Sequence, residues 1–320
     1  MSSNASSLNP VRVPPEKQAE LYRLTNPPKV AWPTLAVLLY VVCGVIGVDI
    51  AAMQGIIPLW VGMLLNVITM YPFFHVMHDS LHRAVSTNVK FNDWVGQMVL
   101  AAVGSPGSLD VIRYSHMMHH RFTNDPQDPD HYFHGSWWTL PFRWMTTDYH
   151  YIAYNLRSGD ARAKKIMRKA LPYTLATVAA IVGIIYLGYG WELLMLWYLP
   201  NRLMLGLMSM AFLWLPHLDG DEHGHLSHIK PAASTSENLT AGTTMRLGFE
   251  RLLAPLLQWH NYHLIHHLWP TTPAYNHAKV WKLMEPELRE RDLRIQHNFD
   301  LIPTLHRGDT TGRSQIRQAS

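Results

Sequence analysis

Residues 116–120 read His-Met-Met-His-His, and residues 263–267 repeat that spacing as His-Leu-Ile-His-His. A third cluster, His78-Asp-Ser-Leu-His82, precedes both of them in the chain. On an α-helix, side chains three and four residues apart lie on one face, so each cluster turns its rings to one side. Neutral imidazole is a common ligand of transition metals. The repeated spacing predicts a shared metal centre.

Long apolar runs lie beside the histidine clusters. Each run has the length needed to cross a hydrocarbon core roughly 30 Å thick, and each carries few or no charged residues. The runs are residues 32–52, 56–77, 171–190 and 191–216. They predict an all-α integral membrane protein with four transmembrane helices arranged as two hairpins.

The distribution of Lys and Arg predicts the orientation of these hairpins. Neither residue type occurs from residue 31 to 82 or from residue 171 to 201. Basic residues collect in the N-terminal tail, in residues 83–169 and after residue 218. Such regions face the cytoplasm in multi-pass proteins. We therefore expect both termini and all histidine clusters on the cytoplasmic side of a membrane, with the bacterial inner membrane as the expected location.

Histidine supplies the predicted ligands, because the chain contains one cysteine, Cys43, inside the first apolar run. A ninth ligand is expected at His217, where the fourth apolar run ends. The predicted ligands are His78, His82, His116, His119, His120, His217, His263, His266 and His267. Alternatives that could replace one of them are His75, His223, His225, His228 and His260.

Acidic residues near the clusters are expected to support the ligands. Asp79 lies between His78 and His82, and its expected role is to orient an imidazole. Asp125, Asp128 and Asp130 are expected to form turns and to accept hydrogen bonds from ligand histidines or from Arg. An all-His set suits iron, zinc or copper. The HExxH motif of zinc hydrolases is absent.

These motifs resemble the three histidine boxes of the membrane fatty-acid desaturase/hydroxylase superfamily, in order and spacing, over roughly residues 31–290. Three stretches are similar to cyanobacterial-type β-carotene hydroxylases: HMMHHRFTNDPQDPD at 116–130, WLPH at 214–217 and NYHLIHHLWP at 261–270. Leu213 departs from some acyl desaturases, which carry Asn one turn before the histidine of the fourth span.

The resemblance implies a fold, a cofactor and partners. It implies four spans under a cytosolic helical cap that holds a His-rich di-iron centre, with no catalytic residue beyond that centre. Two Fe2+ ions, O2 as co-substrate and two electrons would remove hydrogen from an unactivated carbon or insert oxygen there. The electrons are expected from an external ferredoxin or flavoprotein, because the chain carries no haem-binding or cysteine-rich segment.

Several functions are compatible with this pattern. The preferred one is ring hydroxylation of a carotenoid resembling β-carotene, and the alternative is desaturation of an acyl lipid or fatty acid. A zinc-dependent membrane lipid amide hydrolase is the candidate from another class. A metal transporter is disfavoured, because the histidines lie at the membrane edge. The expected organisation is a polar cytosolic tail at residues 1–30, the catalytic domain at 31–290 and a charged, partly mobile tail at 291–320.

Overall fold

A computed structural model shows two compact units. The residues it describes are 11–105, 107–220, 226–227 and 239–308. The helical unit comprises Pro27–Met118 and Ser136–Ala211. The sheet unit comprises the described parts of Met1–Asn26, His119–Gly135 and Phe212–Ser320.

Most of the described residues are helical. The helices are α1 Pro15–Thr25, α2 Trp32–Met53, α3 Leu59–Met70, α4 Phe73–Leu81, α5 Val89–Ala102, α6 Leu109–Phe122, α7 Leu140–Met145, α8 Thr147–Arg157, α9 Ala161–Tyr186, α10 Gly190–Leu193, α11 Leu199–Met208, α12 Leu239–Gly242, α13 Glu250–Leu256, α14 His263–Leu268 and α15 His277–Arg289.

Three helices in the described part of the chain are long and apolar enough to cross a membrane. They are Trp32–Met53, Leu59–Leu81 and Ala161–Tyr186, and they correspond to the first three predicted runs. The second of them consists of α3 and α4 in succession. Helices α2 and α3 pack against each other, and Gly55 in their turn has φ +71°. Glycine adopts this left-handed conformation without steric cost, so the chain can reverse within a few residues.

The fourth predicted run, residues 191–216, is helical but interrupted. It contains two π-helical turns, Leu194–Tyr198 and Ser209–Trp214, and it ends in a 3-10 turn at Leu215–His217. A π turn accommodates an extra residue and breaks the regular α-helical hydrogen-bond ladder. An uninterrupted fourth span is therefore not seen among the described residues, and the four-span topology stays a prediction.

Short strands correct the all-α prediction for the sheet unit. Strand β1 (Asp219–Gly220) pairs antiparallel with β2 (Leu226–Ser227). Strand β3 (Thr244–Leu247) pairs parallel with β4 (Leu293–His297), which pairs antiparallel with β5 (Thr304–His306). The sequence prediction missed these strands because each has five residues or fewer, which is too short for a clear period-2 pattern, and because β3 pairs with the distant strand β4.

Part of the segment predicted as a C-terminal tail, residues 291–320, belongs to this sheet. Leu293 and Ile295 of β4 are buried in a core with Val280, Met284 and Leu288 of α15. Alternate residues of a strand point to one face, which explains why these two side chains enter the core together. The segment through residue 308 is therefore part of the fold, whereas residues 309–320 lie outside the described chain.

Candidate metal centre

The first histidine cluster lies in the helical unit. His78 on α4 and His82 at its C-terminal end are one helical turn apart, and His116 on α6 lies against both. The three ring centroids are 4.8–5.0 Å from one another. The Nε2 atoms of His82 and His116 are 2.8 Å apart, and all three side chains are buried. The structure thus joins the predicted HxxxH pair to the first histidine of the next motif.

Arg113 fixes the end of α4 on which this cluster depends. Its guanidinium donates to the carbonyl oxygens of Ser80 and Leu81 at 2.9 and 3.0 Å, and it forms an ion pair with Asp93. These carbonyls belong to the last turn of α4, and that of Ser80 also accepts hydrogen bonds from the backbone N–H of Arg83 at 3.2 Å and from Asn92 Nδ2 at 2.8 Å. Arg113 precedes His116 by one turn of α6, so one helix supplies both a ligand candidate and the cap.

A second cluster, in the sheet unit, contains His119, His217, His263 and His267. Their candidate ligand nitrogens all lie within 4.8 Å of one another, and all four side chains are buried. His263 Nε2 lies 2.9 Å from both His217 Nε2 and His267 Nε2. His119 Nε2 is 3.3 Å from His267 Nε2. These four residues come from three separate parts of the sequence.

The adjacent histidines of the HMMHH motif, His119 and His120, have different neighbours. His120 Nε2 lies 2.8 Å from His266 Nε2, and these two group with His267. His119, one residue earlier, belongs to the four-histidine cluster. Consecutive residues diverge by about 100° around a helix, which explains the divergence.

The crowding of these nitrogens fits a bound metal ion. An Nε2 atom carries either one proton or one lone pair, so His263 Nε2 can serve only one of its two neighbours by hydrogen bonding. Burial lowers the pKa of His217, His263 and His267 well below 6.5, which leaves these imidazoles neutral near pH 7. A cation placed among the nitrogens would accept all of the lone pairs. The donor set suits iron, zinc or copper.

Two carboxylates lie near the Nδ1 atom of His119. His119 Nδ1 donates to Asp128 at 2.9 Å, and Asp130 lies 3.4 Å from the same nitrogen. Burial lowers the pKa of His119, but the charges of Asp128 and Asp130 and this hydrogen bond outweigh burial and raise the pKa to about 9. Metal binding at Nε2 must therefore displace a proton.

Asp128 also holds its own loop in place. Its carboxylate accepts hydrogen bonds from the backbone N–H groups of Asn124 and Asp130, both at 2.8 Å. The sequence predicted turn formation and a histidine partner for these aspartates, and the geometry of Asp128 matches both roles.

The alternative ligands have different surroundings. His75 contacts Thr34, at 3.4 Å, and Asp79, at 3.7 Å. Asp79 accepts a hydrogen bond from Thr34 at 2.8 Å, and its carboxylate lies beside the imidazole of His75. His260 Nδ1 lies 3.1 Å from the carbonyl oxygen of Gln258, and none of the ligand groups found among the described residues includes His260. His223, His225 and His228 lie outside the described residues.

Sequence reasoning missed two residues that contact or brace the clusters. Thr123 Oγ1 lies 3.4 Å from His267 Nδ1 and donates to the carbonyl oxygen of His119. Its position four residues after His119 could have indicated this contact, because residues with that spacing lie on the same face of a helix. The second missed residue is Arg113, which lies three residues before His116.

Comparison with known proteins agrees with this geometry. The sequence model of the family described as fatty acid desaturase matches residues 54–299, a range that contains all nine predicted ligands. No curated protein matched the chain. The family comprises membrane di-iron oxygenases of the desaturase and hydroxylase type. The chain belongs to the fatty acid desaturase family and is a membrane oxidoreductase enzyme.

Proposed function

We propose that this enzyme uses O2 to attack unactivated C–H bonds of a lipid or isoprenoid, and that its preferred reaction is ring hydroxylation of a carotenoid resembling β-carotene. The observation that carries the O2-dependent chemistry is the convergence of four buried imidazole nitrogens, those of His119, His217, His263 and His267, within 4.8 Å of one another. Family membership supports the oxidoreductase class and a lipid substrate.

Two iron ions would be held by the histidines already described. His78, His82 and His116 would bind one in the helical unit, and His119, His217, His263 and His267 would bind one in the sheet unit. His120 and His266 are the remaining proposed ligands. When bound, the irons would activate O2, with two electrons from an external donor, for cleavage of the C–H bond.

The protein's own groups prepare this site. Asp128 accepts a hydrogen bond from the Nδ1–H group of His119. This contact keeps the proton on Nδ1, so that Nε2 can offer its lone pair to a metal. Burial keeps water away from the ring nitrogens of His217, His263 and His267. Neutral ligands leave a high positive charge at the irons, which suits electron delivery from an external ferredoxin or flavoprotein. We also propose four membrane spans, with the histidines facing the cytoplasm of a bacterial inner membrane.

The substrate assignment rests on sequence resemblance. The stretches at 116–130, 214–217 and 261–270 are similar to β-carotene hydroxylases, which favours ring hydroxylation. Desaturation of an acyl chain is equally consistent with the family. Both reactions begin with hydrogen abstraction, and the position of the substrate carbon decides whether oxygen is inserted or a second hydrogen is lost.

The deciding experiment is mass analysis of pigments and total lipids from a carotene-accumulating bacterial host that expresses the chain and a ferredoxin system. We expect carotenoids to gain one or two oxygen atoms. A His266→Ala variant should lose this product, whereas His297→Ala, which alters an exposed histidine at the end of β4, should retain it.

The other outcomes identify the alternatives. Unchanged carotenoids with acyl chains that lose two hydrogens would establish the desaturase reaction instead. Purified protein that contains zinc and cleaves a lipid amide without O2 would contradict the oxidoreductase assignment. Full activity in His266→Ala would contradict the assignment of the site.

A further inference from the structure

A small pocket lies between α8 and α9 of the helical unit, apart from the histidine clusters. Its volume is about 230 Å3, and it is lined by Asn155, Leu156, Lys164, Met167 and Arg168. This is about eight times the volume of one water molecule in the liquid, so it suits a small polar group with an apolar attachment. The lining offers two cations, one amide and two apolar side chains.

The two cations lie where α9 passes from a basic to an apolar sequence. Lys164 and Arg168 are four residues apart on one helix face, and both are exposed. Helix α9 has no acidic residue, and its following turns expose Leu171, Leu175 and Val178 by about half of their surfaces. Because α9 is a candidate membrane span, these cations belong at the depth of lipid headgroups.

Asn155 adds a specific hydrogen-bond requirement. Its side chain is fully buried, and its Nδ2 donates to the carbonyl oxygen of Tyr151 at 2.8 Å and to Ser115 Oγ at 2.7 Å. A carbonyl can only accept, so the amide orientation is fixed and Oδ1 faces away from Tyr151. Among the described residues, no hydrogen-bond donor reaches Oδ1. A buried acceptor of this kind is costly unless a donor satisfies it.

We propose that the pocket binds the headgroup of an anionic phospholipid that carries a hydroxyl donor, such as phosphatidylglycerol. Lys164 and Arg168 bind the phosphate, and the headgroup hydroxyl donates to Asn155 Oδ1. The apolar side chains of Leu156 and Met167 contact the glycerol ester region. The site lies outside the catalytic machinery, so its test does not depend on the reaction that the enzyme performs.

The test is native mass spectrometry of the full-length protein released from detergent, titrated with defined lipids. The probes are phosphatidylglycerol, phosphatidylmethanol, which has the same charge without the hydroxyl, and zwitterionic phosphatidylcholine. The variant Lys164→Gln/Arg168→Gln removes the pocket cations. The matched control is Lys165→Gln/Lys169→Gln, which has the same spacing and nearly the same change in charge and structure, but alters cations that do not line the pocket.

We expect phosphatidylglycerol to bind the unaltered protein more tightly than either other lipid. The pocket variant should bind phosphatidylglycerol about tenfold more weakly, since each basic group near an anionic headgroup contributes appreciably. The control variant should stay within about twofold of the unaltered protein.

Three results would overturn the proposal. An equal loss in both variants would mean that diffuse charge, rather than the pocket, attracts the lipid. Equal affinity for phosphatidylglycerol and phosphatidylmethanol would exclude a hydrogen bond between the headgroup hydroxyl and Asn155. Unchanged affinity for phosphatidylglycerol in the pocket variant would exclude the pocket as the lipid site.

Discussion

Asp128 accepts a hydrogen bond from Nδ1 of His119 at 2.9 Å, and this contact determines which ring nitrogen faces the four-histidine cluster. With Nδ1 engaged, Nε2 of His119 is the atom that lies 3.3 Å from His267 Nε2. Carboxylates in this position fix both the tautomer and the ring orientation of metal-binding histidines.

Replacing Asp128 with Asn should weaken metal binding by roughly 10- to 100-fold, because an amide is a poorer acceptor and carries no charge. Metal content per protein after dialysis, measured by mass spectrometry of the metal, reports the loss. Asp125→Asn is the matched control in the same loop and should retain its metal. Equal metal retention in both variants would show that Asp128 has no influence on the ligand.

His263→Ala should abolish turnover and reduce the iron content, because His263 Nε2 lies 2.9 Å from two other candidate ligands. The exposed His297 provides the control, and His297→Ala should keep both iron and activity. Iron analysis and product formation are measured on the same preparations. Normal iron and normal turnover in His263→Ala would exclude the four-histidine cluster as a metal site.

Arg113→Lys should destabilise the end of α4, because lysine cannot reproduce two hydrogen bonds to carbonyls together with the ion pair to Asp93. A lost hydrogen bond to a charged group costs about 1.5–3 kcal/mol. The expected result is a lower melting temperature in detergent and less metal at His78, His82 and His116. Arg121→Lys, on the exposed side of α6, should melt like the unaltered protein.

Chelation should inactivate the enzyme and lower its melting temperature, because a ligand that binds only the folded state stabilises that state by mass action. Adding Fe2+ back under reducing conditions should restore activity, whereas Zn2+ should restore the melting temperature without turnover. Activity and thermal unfolding are followed in parallel. Restoration of turnover by Zn2+ would argue for hydrolysis.

The histidine clusters could be anticipated because their geometry is local. Spacings of three and four residues place side chains on one helix face regardless of the rest of the fold. The divergence of His119 and His120 followed from the same rule. The association of His119 with His217 involves segments distant in sequence, and His217 was expected near the centre because it lies where the fourth apolar run ends.

Other features depend on contacts that periodicity does not encode. Strand β4 lies in the segment predicted as a charged, partly mobile tail. Its five residues are too few to predict a strand from sequence periodicity, and the strand is defined by its pairing with β3. The surroundings of Arg202, a basic residue within the fourth apolar run, are another example. In the structure it forms an ion pair with Asp148 of α8 at 2.7 Å and donates to the carbonyl oxygen of Met145. Asp148 lies in α8 and Arg202 in α11, and α9 and α10 separate these two helices in the chain.

The order of the ligand candidates along the chain has a consequence for biosynthesis. His119 and His267 approach each other across 148 residues of sequence. A nascent polypeptide therefore lacks this cluster until α14 has left the ribosome, long after the first two apolar helices have been synthesised. Chains that terminate before α14 cannot assemble the site, so metal acquisition would distinguish polypeptides that extend through α14 from shorter, truncated ones.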